Sequence, residues 1–274
     1  MRKLEGKTAY VTGGGRGIGR EVVLKLAQDG ANVVVNDLDA DVAHAVADEA
    51  RSCGVRALAV PGSVSDGDFG DRFVGAGVEA FGGIDIVVNN AGYTWDSMIN
   101  KMSDAQFDAM LDVHLKAPFR ILRAASQFII SAAREEAAAG RPVVRKVVNI
   151  SSQAGTGGNA GQANYASAKA GVIGLTKTLA KEWGRFNVNV NAVAFGLIST
   201  RLTEATDEKK TITVEGKEIG VGIPVKVSED FNARIPMRRA GTAQEAAGGI
   251  YLLCIPESDY VSGQTLIVSG GMVL

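Results

Sequence analysis

Two rhythms of apolar and polar positions run through the first two thirds of the chain. Short Val/Ile/Ala-rich stretches read as buried strands: "KTAYVT" (7–12), "ANVVVN" (31–36), "VRALAV" (55–60), "IDIVVNNAG" (84–92), "RKVVNISS" (145–152) and "NVNVNAVAFG" (187–196). Between them the spacing turns helical. In "GIGREVVLKLAQDG" (17–30), Ile18, Val22 and Leu26 share one face and Gly30 can end the helix. Further helices are predicted across 39–54, 66–81, about 104–139 and 162–183. Continuous apolar strands separated by helices predict a parallel sheet covered on both faces.

After Gly196 the regularity stops. Residues 197–240 mix the charge run "TEATDEKK" with a possible hairpin, "TITVEGKEIGVGI" (211–223). A connection this long in a compact domain reads as a lid or binding loop. A helix over 242–255 and a strand near "GQTLIVSGG" close the chain, with no internal repeat and no linker. The pattern favours a single domain over 1–274.

Composition adds mainly exclusions. With 274 residues, 46% hydrophobic and 22% charged, the chain can bury a substantial core. Lys plus Arg (29) nearly balance Asp plus Glu (30), so charge makes no case for nucleic acid or a membrane surface as partner. No apolar run has the length of a membrane span, and "MRKLEGKTAY" has no apolar signal core. Cys53 and Cys254 show neither metal-ligand nor disulfide spacing; no metal is expected, and a cytoplasmic location is. The 34 glycines ask for tight turns and close backbone approaches.

One glycine cluster has a chemical reading. "TGGGRGIG" (12–19) joins the first strand to the first helix with Gly13, Gly17 and Gly19 spaced G-x-x-x-G-x-G. Such a loop lets backbone N–H groups and a helix N-terminus approach a pyrophosphate. A tight βα turn explains the glycines almost as well. The acid Asp37, at the end of "VVVND", tips the balance towards a dinucleotide, because it can bind ribose hydroxyls. Its plainer reading is a helix N-cap. A carboxylate there repels a 2′-phosphate and favours NAD, whereas Arg16 in the loop could pair with that phosphate and favour NADP. NAD is the expected cofactor, with NADP the alternative.

"ISSQAGTGGNAGQANYASAK" (150–169) carries the candidate chemistry. Tyr165 and Lys169 are i and i+4, hence on one helical face, and Ser152 ends a strand thirteen residues before Tyr165. Hydride exchange between a carbinol and a nicotinamide needs a proton moved at the same oxygen. A free tyrosine titrates near 10, too high for a base near neutrality. Lys169 and a positive nicotinamide ring would favour the phenolate, and a drop of about three units needs roughly 4 kcal/mol. Ser152 would hold the substrate oxygen. The structural alternative is an ordinary amphipathic helix with a half-buried ring.

With these motifs the chain resembles the short-chain dehydrogenase/reductase family over nearly its whole length: "TGGGRGIG", "NNAG" (89–92), Ser152, "YASAK" and "AKAGVIGLTKTLAKE". The resemblance implies a Rossmann-type doubly wound α/β fold with a substrate lid. It implies cofactor contacts from Gly13, Arg16, Gly17, Ile18, Gly19, Asp37, Val64, Asn90, Ala91, Gly92, Tyr165, Lys169 and Thr200, with Asn89 bracing the sheet. It also implies a homotetramer built on the helices near 104–139 and 162–183. Three positions depart from the family pattern. His114 stands where an asparagine usually holds a water beside the lysine, and reads either as an altered proton relay with a catalytic role or as a structural histidine. Phe195 replaces a proline before the lid, and Ser63 replaces an aspartate that meets the adenine amine. His44 reads as an exposed helix residue.

For the substrate, "GNAGQANYASAKAGVIGLTK" is similar to 3-oxoacyl-thioester reductases, while "VND" and "VHL" resemble (3R)-3-hydroxyacyl-CoA dehydrogenases. The shared implication is chemistry at C3 of an acyl thioester carried on coenzyme A or acyl carrier protein. Arg201, Arg234, Arg238 and Arg239, and likewise "RPVVRK" (141–146), could meet such a carrier or be solvated surface charge. Another secondary alcohol, such as a polyol or steroid, would use the same residues. A non-catalytic nucleotide-sensing scaffold predicts the loss of some of Ser152, Tyr165 and Lys169, and all three are present.

Overall fold

A computed structural model describes residues 2–272. Seven parallel strands form one sheet: β1 (Thr8–Val11), β2 (Asn32–Val35), β3 (Ala57–Ala59), β4 (Ile86–Asn89), β5 (Arg145–Ser152), β6 (Val188–Phe195) and β9 (Thr265–Val268), in the order β3-β2-β1-β4-β5-β6-β9. Helices α1 (Gly17–Gln28), α2 (Ala40–Arg51) and α9 (Ala243–Leu252) pack on one face. Helices α3 (Phe69–Phe81), α5 (Ala117–Ala138) and α7 (Ala163–Trp183) pack on the other, with α4 (Asp104–Leu111) leading into α5. This is the expected doubly wound α/β architecture.

The strands are apolar throughout because both faces are covered. Val33 and Val35 point into the layer with α1, and Val34 points into the layer with α3. Ala9 and Val11 alternate with Tyr10 in the same way, as do Ile86 and Val88 with Val87. In the second layer Phe69 and Phe73 are fully buried and stack 5.3 Å apart, with Tyr10 edge-on to Phe73. Truncating either phenylalanine to alanine should cost about 3–5 kcal/mol.

The sheet order places a topological switch between β1 and β4, because the chain winds outward to β3 and then returns to the centre. The loops at the carboxyl ends of those two strands diverge there and leave a crevice.

Three predicted elements differ. The helix expected over about 104–139 is broken: α4 passes through a π-helical turn at Asp112–Lys116 before α5 begins. Pro118 explains the break, since it has no N–H to give the carbonyl four residues back, that of His114. The helix expected over 66–81 begins at Phe69, and that over 242–255 ends at Leu252, short of Pro256. A short helix, α6 (Ala154–Gly157), went unforeseen.

The lid contains the anticipated hairpin. β7 (Lys210–Val214) pairs antiparallel with β8 (Lys217–Val221), and α8 (Val225–Arg234) follows.

Candidate active site

A cavity of about 770 Å³ opens at the carboxyl edge of the sheet. Asp37 and Ser63 line one end and Ser152, Tyr165 and Lys169 the other, with Thr200 and the hairpin strand Thr211–Val214 along the lid side. Gly13, Arg16, Gly17, Ile18, Gly19, Val64, Asn90, Ala91, Gly92 and His114 also line it. The structure therefore brings every predicted site residue to one continuous cleft.

The glycine loop is compact for steric reasons. A Cβ on Gly19 would stand 1.9 Å from the carbonyl oxygen of Gly13, and one on Gly13 would stand 2.8 Å from the Cα of Ala91. Gly13 and Gly17 also have positive φ, 60° and 50°, a region side chains disfavour. The loop is tied to β4. Asn90 Nδ2 donates to the carbonyls of Thr12 and Gly13, both at 3.0 Å, and Thr12 Oγ1 accepts from the N–H groups of Asn90 and Ala91.

The helix behind the loop is left open. Helices α2, α4 and α9 are N-capped by Asp39, Ser103 and Thr242, but α1 has no side-chain cap and no acid in its first turn. Its first N–H groups and dipole end thus suit an anion such as a pyrophosphate. These residues fit a dinucleotide.

Asp37 leaves the tip of β2 in a fixed position. Its Oδ2 accepts from Gly15 N–H at 3.1 Å and its Oδ1 from Asp39 N–H at 3.2 Å. It is not the N-cap of α2, because Asp39 takes that position and accepts from Val42 N–H. The same Asp39 holds Arg16, 2.7 Å away. Both side chains are about half exposed, so this pair is weak.

At the other end, close packing places the chemistry. Ser152 ends β5 opposite Phe195 of β6, and its Oγ accepts from Ala154 N–H at 3.2 Å. Phe195, without proline's restriction, continues the β6 ladder to both neighbours. Helix α7 lies hard against β5: Ser151 Oγ donates to the Lys169 carbonyl at 2.8 Å, and a Cβ on Gly155 would come within 2.6 Å of that carbonyl carbon. Asn164 fixes the start of α7 by donating to the carbonyls of Trp95 and Gln106, both at 3.0 Å. Tyr165 and Lys169 therefore face the cleft one turn apart. Lys169 Nζ donates to the Ile150 carbonyl at 2.7 Å and lies 5.4 Å from the Tyr165 ring centre.

In the protein alone, burial governs ionisation at this cluster. Burial lowers the Lys169 ammonium to about 7. Burial raises the Tyr165 phenol to about 12, against the opposing pull of a hydrogen bond from Ser152. In the protein alone the phenolate is thus disfavoured, because the loss of hydration outweighs the neighbouring groups.

His114 projects inward from the π-helical turn and is 3% exposed. Its Nε2 donates to the Tyr93 carbonyl at 2.7 Å, which leaves Nδ1 as the acceptor of a neutral ring, and Nδ1 has no partner among the described residues. Burial, and then the charge of Lys169, hold this imidazole well below its ordinary value. The ring stands edge-on to Tyr165, centres 5.0 Å apart. Gly92 makes room for it, as a Cβ there would stand 2.2 Å from the imidazole.

Asn89 links β4 through β5 to helix α7. Its Nδ2 donates to Asn149 Oδ1, Asn149 donates to Thr176 Oγ1, and Thr176 donates to the Val172 carbonyl. His44 is exposed, as expected. Arg201, Arg234, Arg238 and Arg239 are exposed, with Arg239 paired to Glu245. Arg145 and Lys146 correct the expectation for "RPVVRK": both are buried, bound to Glu136 and Asp259 respectively.

Several contributors escaped the sequence reading. Thr12 clamps the loop, and Asn36 donates to the carbonyls of Val60 and Gly62, bridging β2 to the loop after β3. Asn36 stands in "VND" beside the recognised acid, and that adjacency was the available signal. The hairpin residues on the cleft wall had none.

A doubly wound sheet with an uncapped glycine-loop helix and a Ser, Tyr and Lys cluster at one edge is the framework of a nicotinamide-dependent oxidoreductase. Comparison with known proteins gives the family. The family model described as short chain dehydrogenase matches residues 7–211. The 3-oxoacyl-[acyl-carrier-protein] reductase FabG of Staphylococcus aureus is 35% identical, with 98% of each chain covered. FabG of Thermotoga maritima is 36% identical over 99% of this chain and 100% of its own, and a 3-oxoacyl-[acyl-carrier-protein] reductase of Synechocystis is 37% identical over 100% of both. A mutant short-chain dehydrogenase/reductase of Serratia marcescens superposes with a TM-score of 0.83 at 28% identity, covering 98% of each chain. The chain belongs to the short-chain dehydrogenase/reductase family and is an oxidoreductase acting at a keto or hydroxyl group.

Proposed function

We propose that the protein interconverts 3-oxoacyl and 3-hydroxyacyl thioesters, using NAD(H) in preference to NADP(H). The observation that carries the reading is the single cleft with Asp37 at one end and Ser152, Tyr165 and Lys169 at the other. A dinucleotide would lie with its ribose at Asp37 and its nicotinamide at Tyr165, with residues 1–150 as the cofactor half and residues 151–274 as the catalytic half. The substrate class is supported by relatives named as 3-oxoacyl-[acyl-carrier-protein] reductases.

When bound, the nicotinamide supplies or accepts the hydride and, when oxidised, brings a positive charge. The remaining steps fall to side chains. Ser152 Oγ donates a hydrogen bond to the substrate oxygen and orients it. In reduction Tyr165 donates its proton to that oxygen as negative charge develops there. A phenol raised to about 12 is held in the protonated form this needs. Lys169 supports the phenolate that results, and His114 positions the Tyr165 ring from its edge.

The fixed Asp37 supports the NAD preference, because the Gly15 and Asp39 N–H groups hold it at the tip of β2. Among the described residues no helix is long and apolar enough to cross a membrane, and both cysteines are free. The free thiols support a cytoplasmic setting. Exposed Phe119 and Phe128 on α5 support burial of that helix in a homotetramer. The exposed Arg201 at the cleft lip is suited to the phosphate-bearing carrier of an acyl thioester.

The test is nicotinamide absorbance during acetoacetyl-CoA reduction, with NADH and NADPH at matched concentrations. Faster turnover with NADH is expected. Preference for NADPH would overturn the role given to Asp37, and no turnover with either would overturn the substrate class.

A further inference from the structure

The lid hairpin reaches across the cleft and touches the opposite wall. Its two-residue turn, Glu215-Gly216, has φ of 49° and 77°, the geometry of a tight hairpin in which both central residues are left-handed. Glycine adopts this freely, and asparagine or aspartate is the usual companion. A glutamate is strained there, so the turn itself does not explain its presence. What Glu215 does is reach the cofactor half of the protein: its Oε1 accepts a hydrogen bond from Ser63 Oγ, across 152 positions of sequence. The donor is unambiguous. Ser63 Oγ already accepts from Ser65 N–H at 3.1 Å, so its one proton points to the carboxylate.

The contact is anchored on both sides. Ile219 of β8 is buried, and Lys217 Nζ lies 5.3 Å above the Trp95 ring. Among the described residues Glu215 forms no ion pair and no second hydrogen bond, so Oε2 is left as an acceptor in search of a donor.

The neighbourhood says what donor would come. Beyond Asp37 the cleft runs between Leu38, an exposed leucine 47% accessible, and Val64. Two apolar side chains facing an open cleft suit a flat ring. The acids nearer the loop are occupied, Asp37 by two backbone N–H groups and Asp39 by Arg16 and the start of α2. Glu215 is thus the carboxylate left to recognise the edge of that ring.

Resting on the dinucleotide reading above, we propose that Glu215 is a specificity-determining residue for the adenine of the cofactor. Held by Ser63, its carboxylate accepts from the exocyclic amine of the base. The lid, not the sheet, thereby supplies the polar contact to adenine, and the hairpin closes over the cofactor at the end remote from the chemistry. A base with a carbonyl in place of the amine sets oxygen against oxygen and is rejected.

The test compares binding of NADH with binding of its hypoxanthine analogue, followed by nicotinamide fluorescence without substrate, for wild type, E215Q and E215A. Wild type is expected to favour NADH by on the order of tenfold or more, the usual worth of a hydrogen bond to a charged group. E215A should bind the two alike, and E215Q, whose amide can donate, should bind the analogue relatively better. S63A should lose part of the preference. An unchanged preference in E215A overturns the proposal. Tighter NADH binding in E215A also overturns it, by showing that the Glu215–Ser63 contact obstructs the base. If wild type binds neither dinucleotide, the cofactor reading itself fails. Glu215 is exposed, and thermal melting of each variant checks that the fold is kept.

Discussion

A lysine driven to about 7 by burial should leave a signature in the stability of the protein as pH changes. In the unfolded chain this lysine titrates at the ordinary value of 10.5. Between these two values the unfolded state holds a proton that the folded state has released, so stability rises with pH across the window. Below about 7 both states are protonated and the full cost of burying the charge is felt. With about 1.4 kcal/mol per unit, the recovery between pH 7 and pH 10 is on the order of a few kcal/mol.

Lys169→Met removes the titrating group and keeps the volume of the side chain. It also leaves the Ile150 carbonyl without its donor, which lowers stability by about 1–3 kcal/mol at every pH and so cancels from a slope. Burial of Tyr10, Tyr165 and Cys254 affects both proteins alike. Urea unfolding of wild type and variant at fixed protein concentration, at half-unit steps from pH 7 to pH 10, gives the difference directly. The stability of wild type relative to the variant should climb by on the order of a few kcal/mol across the range. Parallel curves would refute the depressed lysine. A difference that falls with pH would mean that the ammonium gains a partner on folding, contrary to the single backbone carbonyl that Nζ contacts.

Three further outcomes test the site. Tyr165→Phe should lower turnover by about 10²–10⁴-fold, the usual worth of a positioned acid–base group, while dinucleotide affinity measured by fluorescence stays within a few-fold. Gly19→Ala should weaken dinucleotide binding by at least tenfold in a titration, because a Cβ 1.9 Å from the Gly13 carbonyl forces the loop out of shape; unaltered affinity would show that the loop does not hold the ligand. Asp37→Ser should shift the ratio of kcat/KM for NADH over NADPH towards NADPH by tenfold or more, since it removes a carboxylate from beside the ribose.

The architecture was legible because buried parallel strands must be apolar on both faces and helices only on one. Six strands were placed by that contrast, and the seventh by its neighbouring glycines. Ser152, Tyr165 and Lys169 were legible for a related reason. A strand end and an i, i+4 pair are local geometries, so sequence spacing alone predicts their direction. The break at Asp112–Lys116 was harder to see, although Pro118 was its cause, because proline near a helix start is also compatible with an unbroken helix. The rise that burial imposes on Tyr165 in the protein alone was not legible, because burial is a property of the folded surroundings. No spacing shows how far water is excluded. Glu215 lay beyond reach altogether, since its contact joins residues 152 positions apart through a hairpin whose landing place the local pattern does not contain.

The two walls of the cleft are built by different rules, and this divides the work between them. Ser152, Tyr165, Lys169 and Asp37 stand on strand ends or on a helix clamped to the sheet, where paired register and close contacts at Gly13, Gly19 and Gly155 leave little freedom. Proton and hydride transfer need reacting atoms held within fractions of an ångström, and only this wall offers that. The lid wall is a two-stranded hairpin, exposed along most of its length and held by Ile219, the Lys217–Trp95 contact and the Glu215–Ser63 bond. An isolated hairpin of two strands is marginal by itself, so its position depends on what fills the cleft. A bound ligand can shift such an element only by contacting it differently in its two positions. Glu215 at Ser63 and Thr200 beside Gly17 are the places where the lid can make that difference. On the proposed reading the sheet wall thus carries the proton transfer and, through Asp37, the choice between NAD and NADP, while the lid carries the contact to the base.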